Sequence, residues 1–288
     1  MSDTKNADSP AAVNAPALEE IARARTALDD VIVTTPVHAW RGPRIAELAG
    51  AKTDIVLKLE LLQVGGSFKT RGATLAAREL SPEQRARGIV TASGGNHAIA
   101  VALAARAVGA TARVFMSRHA NPFRQARCRA LGAEVTLVED VHEAFARARR
   151  AADEEGLAYI HAFEGRTVAL GTGTCGYEFM QQAPGLDAVI IPIGGGGLAA
   201  GMAAAIKQMS PATRVIGVEP EGADTMRRSF AAGSPQSIER VNTIADSLGA
   251  PAALPYSFGL CRRFVDEIVL VSDDALRAGM KLIFEDVK

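Results

Sequence analysis

The sequence predicts an α/β protein with two open, twisted, mostly parallel sheets and flanking helices. Short runs rich in β-branched and other apolar residues alternate with alanine-rich helical stretches. Such strands are typical of parallel sheets that helices cover on both faces. The predicted strands are "DIVLKLE" (54–60), "GIVTAS" (88–93), "ARVFM" (112–116), "AEVTLV" (133–138), "AVIIPI" (188–193), "RVIGVE" (214–219) and "EIVLVS" (267–272).

The composition is that of a folded protein with a large core, since 48% of the 288 residues are hydrophobic and 22% are charged. With 32 basic and 32 acidic residues, the chain favours neither nucleic acid nor a membrane surface as a partner. No apolar run approaches the roughly 20 residues of a membrane-spanning helix. Cys128, Cys175 and Cys261 match no metal-ligand spacing and build no disulfide framework, which fits a cytoplasmic setting.

Loops rich in glycine and small polar residues follow three of the predicted strands. They are "QVGGSFKTRGA" (63–73), "SGGNHA" (93–98) and "GGGGLAAG" (194–201), and a fourth such loop, "TIADSLGAP" (243–251), follows a helical segment. In parallel sheets, ligands bind outside the carboxyl ends of the strands. The sequence therefore predicts a ligand site built from these loops.

The run "GGGGL" (194–198) follows a strand and opens a helix. Glycines let the backbone approach an anion closely, and the free N–H groups and dipole of a helix start favour a phosphate. The identity of the phosphate stays open at this point. Gly194, Gly196 and Ala199 also fit a dinucleotide fingerprint, and Glu219 lies about where a ribose partner would stand. An NAD-dependent oxidoreductase is therefore an alternative, although it gives "GSFKTRGA" and "SGGNHA" no role.

Lys69 is predicted in the first turn of a helix that runs toward Leu80, with Ser67 as the N-cap. A cation at the positive end of a helix dipole is disfavoured by a few tenths to about 1 kcal/mol. The destabilised ammonium makes the free amine more available, and a free amine can form a Schiff base with an aldehyde. A simple phosphate contact by Lys69 would fit the same local pattern.

Together these motifs resemble the fold-type II pyridoxal-phosphate (PLP) enzymes, the tryptophan synthase β family. "KLELLQVGGSFKTRGA" (58–73) is similar to the lysine motif of the threonine/serine dehydratase branch. "SGGNHA" resembles its asparagine loop, "GGGGL" its phosphate loop and "TIADSLG" its "T-I-A-D-G" segment. "TP" at 35–36 and "GTGT" at 171–174 also fall in order, so the resemblance runs from about residue 20 to the end.

The resemblance implies a role for each of these residues. Lys69 would hold PLP as a Schiff base and then take the Cα proton of the substrate, while Phe68 would pack against the pyridine ring. Asn96 would bind the 3′ oxygen of the ring, and His97 is expected to have no acid–base role. The 5′-phosphate would lie on the backbone amides of Gly194, Gly195, Gly196, Gly197 and Leu198. The substrate carboxylate would be gripped by Ser93, Gly94, Gly95, Asn96 and His97, chiefly through their backbone N–H groups.

The family resemblance also implies a domain organisation and a reaction. PLP would lie in a cleft between a large domain (18–61 and 161–288) and a small domain (62–160), after a flexible tail (1–17). The expected reaction converts L-threonine or L-serine to a 2-oxo acid and ammonia, in a homodimer by default. A β-replacing synthase is an alternative. A racemase is another, but racemases of this family carry a serine, the second acid, where this chain has Gly94.

A divalent cation is a further expectation from the resemblance. Members that bind one near the phosphate use an acid, a backbone carbonyl and a second acid. Here the first two are Glu219 and the carbonyl of Ala223, while Thr225 stands at the second acid with Asp224 adjacent. Oxygen ligands would suit Mg²⁺ or Ca²⁺.

The sequence departs from the family pattern beside the site and at its end. Leu61, Val64 and Gly65 replace the usual asparagine, proline and threonine, and Ser247 replaces the glycine after "IAD". The chain stops at "LIFEDVK", whereas relatives continue into a further helix and a strand that contacts the pyridine nitrogen. We expect a chain of this length to be poorly active or unstable on its own.

Overall fold

The computed structural model describes residues 13–287. The strands are β1 (Val37–Trp40), β2 (Ile55–Lys58), β3 (Ile89–Ala92), β4 (Ala112–Ser117), β5 (Glu134–Val138), β6 (Ala158–Tyr159), β7 (Ala188–Pro192), β8 (Arg214–Pro220) and β9 (Glu267–Val271). The helices are α1 (Leu18–Ala27), α2 (Pro43–Ala49), α3 (Lys69–Arg78), α4 (Pro82–Arg87), α5 (Asn96–Ala107), α6 (Pro122–Ala130), α7 (Val141–Glu155), α8 (Arg166–Gln182), α9 (Gly197–Met209), α10 (Thr225–Ala232), α11 (Pro255–Phe264) and α12 (Asp273–Asp286). Short 3-10 turns cover Glu60–Leu62, Glu221–Ala223 and Asp246–Leu248. None of the helices within residues 13–287 is long and apolar enough to cross a membrane.

A four-stranded parallel sheet with the order β5-β4-β3-β6 forms the middle of the chain. Its central strand β3 is completely buried because helices cover both faces. Ile89 points into a core shared with α3, α5 and α6, whereas the next residue, Val90, points into a core shared with α7. This alternation confirms the predicted parallel sheet with helices on both sides.

A second parallel sheet has the order β7-β8-β9. Val189, Ile191 and Val215 face a core that also contains residues of α8, α9 and α11. On the opposite face, Ile190 pairs in register with Ile216, and Ile190 is 68% exposed. One face of this sheet is therefore turned to solvent, which is unusual for parallel strands.

The first predicted strand lies outside both parallel sheets. Residues Ile55–Lys58 pair antiparallel with Val37–Trp40 and form a separate two-stranded sheet. An apolar run predicts a strand without specifying its direction, and the short partner "VHAW" gave too weak a pattern to be recognised as a strand.

Helix α8 lies between α3 and α9 and brings their N-termini into one region. The backbones approach so closely that a Cβ atom on Gly171 would overlap the Cα atom of Gly72 in α3. A Cβ atom on Gly176 would lie 2.9 Å from the Cα atom of Met202 in α9. The glycines of "GTGTCG" therefore serve helix packing, and α8 fixes the position of Lys69 relative to the glycine loop.

A buried ionic cluster anchors α3 two residues after Lys69. Arg71 is fully buried, and its Nε and Nη2 atoms donate to the two carboxylate oxygens of Glu60 at 2.9 and 2.8 Å. Its Nη1 and Nη2 atoms also lie 3.2 Å from the two oxygens of Glu178 in α8. Lys58 and Arg25 pair with Glu178 as well. Every charge in the cluster has a partner, and the pairs connect α3 to β2 and α8.

Candidate active site

The glycine loop forms an open cradle at the start of α9. Gly196 is the N-cap and takes a left-handed conformation with φ of 86°. Within residues 13–287, the N–H groups of residues 194–198 donate to no protein acceptor. Unpaired amides at the positive end of a helix dipole are suited to bind a phosphate.

The cradle has no room for side chains on its inner glycines. A Cβ atom on Gly195 would overlap the ring of Phe163, and one on Gly197 would lie 2.7 Å from the Cα and carbonyl oxygen atoms of Phe163. A Cβ atom on Gly196 would lie 2.5 Å from the terminal methyl of Met226. Glycine is therefore required here by close packing as well as by backbone conformation.

The start of α5 is a second open helix terminus. Gly95 is its N-cap, and the Gly95 N–H donates to Oγ of Ser93 at 3.1 Å. In the part of the chain that the structure describes, the N–H groups of Gly94, Asn96 and His97 have no protein acceptor. The half-buried side chain of Asn96 likewise has no partner there. This terminus can accept a small anion such as a carboxylate.

Lys69 is the first residue of α3, and its side chain is half-buried. The Nζ atom donates to the carbonyl oxygen of Ala162 and lies 5.0 Å from the centroid of the Phe68 ring. Burial disfavours the charged form and lowers the pKa of Lys69 to about 8. A lysine with this pKa supplies neutral amine at mildly alkaline pH, as a nucleophile or a proton acceptor requires.

The predicted cap of α3 was wrong. Phe68 occupies the N-cap position in a helical conformation and makes no side-chain cap hydrogen bond. Ser67 precedes it, and its buried Oγ atom has no hydrogen-bond partner among residues 13–287. The chain already turns helically at Phe68, so the Ser67 hydroxyl is not placed to cap the helix.

Two histidines near Lys69 are held neutral. His97 is buried, and its Nε2 atom donates to the carbonyl oxygen of Ile160 at 3.0 Å. Burial, reinforced by the charge of Lys69, lowers the pKa of His97 to about 3. The same two causes, in the same order, lower the pKa of His161 to about 4. Neither imidazole can serve as a cationic acid at neutral pH.

Residues 161–164, "HAFE", connect the parts of the site, and the sequence analysis missed them. Ala162 accepts the hydrogen bond from Lys69, and Phe163 fills the space against the glycine loop. The Glu164 carboxylate accepts from the Tyr256 N–H at 2.6 Å and the Ser257 Oγ at 2.7 Å, at the start of α11. The sequence signal for these residues was the polar and aromatic run itself. It was easy to miss because the strand before it, β6, has only two residues and does not stand out as a strand.

Glu219 already uses both of its carboxylate oxygens. They accept from the backbone N–H groups of Met226 and Arg227 at 2.9 and 2.7 Å, near the start of α10. Burial raises the pKa of Glu219 to about 7. Ala223 is buried close by in sequence, and residues 13–287 contain no cluster of three or more His, Cys, Asp or Glu suited to a metal. The cation site at Glu219 and Ala223 stays a prediction.

A family model described as "Pyridoxal-phosphate dependent enzyme" matches residues 28–287. The chain belongs to this family of PLP-dependent enzymes. The residues fit the cofactor, because the open glycine cradle suits its phosphate and the half-buried amine of Lys69 suits its aldehyde. Membership favours PLP over a dinucleotide as the cofactor of this chain.

Relatives of this PLP-dependent enzyme include dehydratases and racemases. It is 48% identical to a phenylserine dehydratase of Ralstonia pickettii over 95% of this chain and 82% of the relative. It is 37% identical to an L-threonine ammonia-lyase of Thermotoga maritima, over 94% and 67% of the two chains. A maize serine racemase structure has a TM-score of 0.89 at 33% identity and covers 95% of this chain and 82% of its own. These matches confirm the fold and the dehydratase-like family.

Proposed function

We propose that this protein is a PLP-dependent ammonia-lyase that dehydrates and deaminates hydroxy amino acids, with L-threonine or L-serine as substrate. One observation carries the proposal. The amine of Lys69, whose pKa is lowered to about 8, is joined through Ala162 and Phe163 to the open glycine loop. A reactive amine held beside a phosphate cradle is the arrangement that a PLP enzyme needs.

The cofactor would be held by backbone amides and side chains of the loops described above, and of these Lys69 would have to exchange its bond to Ala162 for the aldehyde. The amides of residues 194–198 would take the phosphate, Lys69 the aldehyde carbon and Asn96 the 3′ oxygen, while Phe68 would pack beside the ring. When bound, PLP supplies the electron sink for charge that develops at the substrate Cα.

The chain itself would bind the substrate and move its proton. The open start of α5, from Ser93 to His97, would orient the substrate carboxylate through backbone N–H groups. Lys69 would take the proton from Cα, because its pKa of about 8 makes it a far stronger base than His97, whose pKa is about 3, or His161, whose pKa is about 4. The neutral His97 would keep its place in the core through its bond to Ile160.

The surroundings of Gly94 favour elimination over racemisation. A racemase of this fold would need an acid on the opposite face of the substrate, at the position of Gly94. A Cβ atom on Gly94 would lie only 2.9 Å from the Cβ atom of Ala120. A serine could therefore not be added at this place without moving α6 or the loop before it.

Phenylserine is a second candidate substrate, favoured by the 48% identity to a phenylserine dehydratase. The reaction type would be unchanged, and the side chain accepted beside the β-hydroxyl would differ. Rates of 2-oxo acid release from L-threonine, L-serine and phenylserine, compared as kcat/KM, would rank the three substrates.

A divalent cation at Glu219 and the Ala223 carbonyl, and a homodimer, remain parts of the proposal that need their own tests. Because both Glu219 oxygens accept backbone N–H groups, a cation would have to share or replace these bonds. A shift of Tm on adding Mg²⁺ or Ca²⁺, lost in Glu219→Gln, would support the cation. Sedimentation equilibrium would give the oligomeric state.

The first test of the proposal is the absorption spectrum of the protein with added PLP. We expect a near-visible band in the wild type and in Lys52→Ala, an exposed-lysine control, but none in Lys69→Ala. Release of 2-oxo acid from a hydroxy amino acid should follow the same pattern. A wild-type band that persists in Lys69→Ala would reject Lys69 as the attachment site.

A further inference from the structure

Arg124 connects the four-stranded sheet and its helices to the part of the fold that contains the β7-β8-β9 sheet. It lies in α6, which packs against α5 and β5 of the four-stranded sheet. Its Nη1 atom donates to Oδ2 of Asp246 at 2.7 Å. Asp246 begins the 3-10 turn Asp246–Leu248, between β8 and β9 of the other sheet. The ion pair therefore joins two parts of the fold that carry different loops of the site.

Both ends of this ion pair lie near loops with open helix termini. The Arg124 Nη1 atom lies 3.8 Å from the position that a Cβ atom on Gly95 would take, at the start of α5. At the other end, a Cβ atom on Gly194 would lie 3.0 Å from the Cα atom of Leu248. Arg124 is thus beside the loop expected to hold a carboxylate, and the turn that contains Asp246 is beside the phosphate cradle.

The guanidinium of Arg124 has unused hydrogen-bonding capacity. A guanidinium carries five N–H donors, and the hydrogen bond to Asp246 uses one of them. No other acceptor for the Arg124 side chain is found within residues 13–287. The side chain is only 22% exposed, whereas that of Asp246 is 69% exposed. The guanidinium is therefore more shielded from water than its carboxylate partner.

Ser247 helps to hold Asp246 in this position. Its Oγ atom donates to the Oδ1 atom of Asp246 at 3.1 Å, which leaves Oδ2 for Arg124. Although burial raises it, the hydrogen bond and charge of Arg124 keep the pKa of Asp246 below its ordinary value. Ser247 is one of the positions where this chain departs from the glycine of the family pattern, so this support is a feature of the present sequence.

We propose that Arg124 is a substrate-binding residue whose guanidinium, held by Asp246, attracts and orients the substrate carboxylate at the loop from Ser93 to His97. The inference rests on the proposed function, because it assumes that this loop binds a carboxylate. Asp246 and Ser247 act as positioning residues. A guanidinium is suited to this task because its fork of donors matches the two oxygens of a carboxylate.

The test compares two ligands that differ only in the carboxylate, L-alanine and ethylamine. Neither has a β-hydroxyl to eliminate, so binding to the PLP-loaded protein can be followed by the change in cofactor absorbance. In Arg124→Ala we expect the Kd of L-alanine to rise roughly tenfold, a common size for one lost charged contact. The Kd of ethylamine should stay unchanged, and Arg124→Lys should recover part of the loss.

A matched control is Arg113→Ala. This variant removes a guanidinium that pairs with Glu155 at 2.8 Å and is not part of the site loops. This variant should bind both ligands like the wild type. Salt should weaken L-alanine binding in the wild type and much less in Arg124→Ala, because that variant lacks the guanidinium charge that salt screens. Circular dichroism of Arg124→Ala and Arg124→Gln separates loss of fold from loss of binding.

Several results would overturn the proposal. An equal loss of affinity for L-alanine and ethylamine would make Arg124 a structural residue. An L-alanine affinity in Arg124→Ala or Arg124→Gln equal to that of the control would show that the carboxylate does not meet Arg124. If the wild type releases no 2-oxo acid from any hydroxy amino acid, the proposed reaction fails, and the two-ligand comparison still decides the role of Arg124.

Discussion

The backbone carbonyl of Ala162 accepts a hydrogen bond from the Nζ atom of Lys69, 93 residues earlier in the chain. The bond places the amine beside the segment that also contacts the glycine loop through Phe163. A single carbonyl offsets little of the cost of burying an ammonium group. The position of Lys69 therefore favours reactivity over the stability of the cofactor-free protein.

Replacing Lys69 by methionine should stabilise the protein without cofactor at pH 7. The pKa of Lys69 is about 8 in the folded chain against an ordinary value of 10.5, so the unfolded state binds more protons between these values. The free-energy cost of keeping Lys69 charged in the folded protein is fully present below pH 8 and declines as the pH rises toward 10.5. We expect Lys69→Met to raise Tm by a few degrees at pH 7 and by less at pH 10.

Calorimetry at the two pH values would measure this effect, with Lys52→Met as the exposed control. A lower Tm for Lys69→Met than for the wild type at pH 7 would mean that the Ala162 bond outweighs the burial of the charge.

Alanine at Gly195 should abolish PLP binding, and truncation of Phe163 should restore part of it. The added Cβ would overlap the Phe163 ring, which Phe163→Ala removes. Alanine at Gly197 would instead meet the backbone of Phe163 at 2.7 Å, which no substitution of Phe163 can remove. Fluorescence titration with PLP should thus find rescue in Gly195→Ala/Phe163→Ala and none in Gly197→Ala/Phe163→Ala. Equal behaviour of the two pairs would contradict the packing described here.

Serine at Gly94 should lower stability without creating a racemase. Its Cβ would lie 2.9 Å from the Cβ of Ala120, and overpacking of this kind costs about 1–3 kcal/mol. Gly94→Ser/Ala120→Gly removes the opposing methyl, so it should recover most of the lost Tm, with Ala120→Gly as its reference. Chiral chromatography after incubation with L-serine would detect D-serine. Formation of D-serine by Gly94→Ser alone would contradict this prediction, because it would show that the loop can accommodate a serine beside Ala120.

Removal of Arg71 should destabilise the fold severely. Arg71→Met would leave Glu60 and Glu178 as buried carboxylates with reduced compensation, a change that costs about 3–5 kcal/mol. Arg150→Met removes an exposed i,i+4 pair and should cost about 0–1 kcal/mol. Urea unfolding of both variants measures the difference. Similar midpoints for Arg71→Met and Arg150→Met would mean that the buried cluster is replaceable.

The sequence predicted most of the parallel sheets and the loops at their ends, because both follow from local patterns. The buried strand at 112–117 is a mostly apolar run in which Arg113 and Ser117 are the polar residues, and glycine runs mark the places where backbone approaches an anion. The same local patterns misled at Ser67, where a good capping residue precedes the helix but the cap position falls on Phe68. A preference for a cap does not fix the residue at which the turn begins.

The missed parts of the site depend on contacts between distant segments. Phe163 matters because it meets the glycine loop, and Glu164 because it caps a helix 92 residues later. Arg124 was not among the predicted site residues, and only the fold brings it to Asp246. The spacing of residues in the sequence contains no signal for such contacts, since the two partners are far apart in the chain.

The solvent-facing side of the β7-β8-β9 sheet has a consequence for handling the protein. Within residues 13–287, β7 is an outer strand of its sheet, and it presents both unpaired backbone groups and the exposed side chain of Ile190. Such a strand is a template for adding a strand from another molecule. We expect warming at high concentration to end in precipitation before unfolding reaches equilibrium, so that scan rate and dilution govern the apparent melting point. Lysine in place of Ile190 should delay the turbidity.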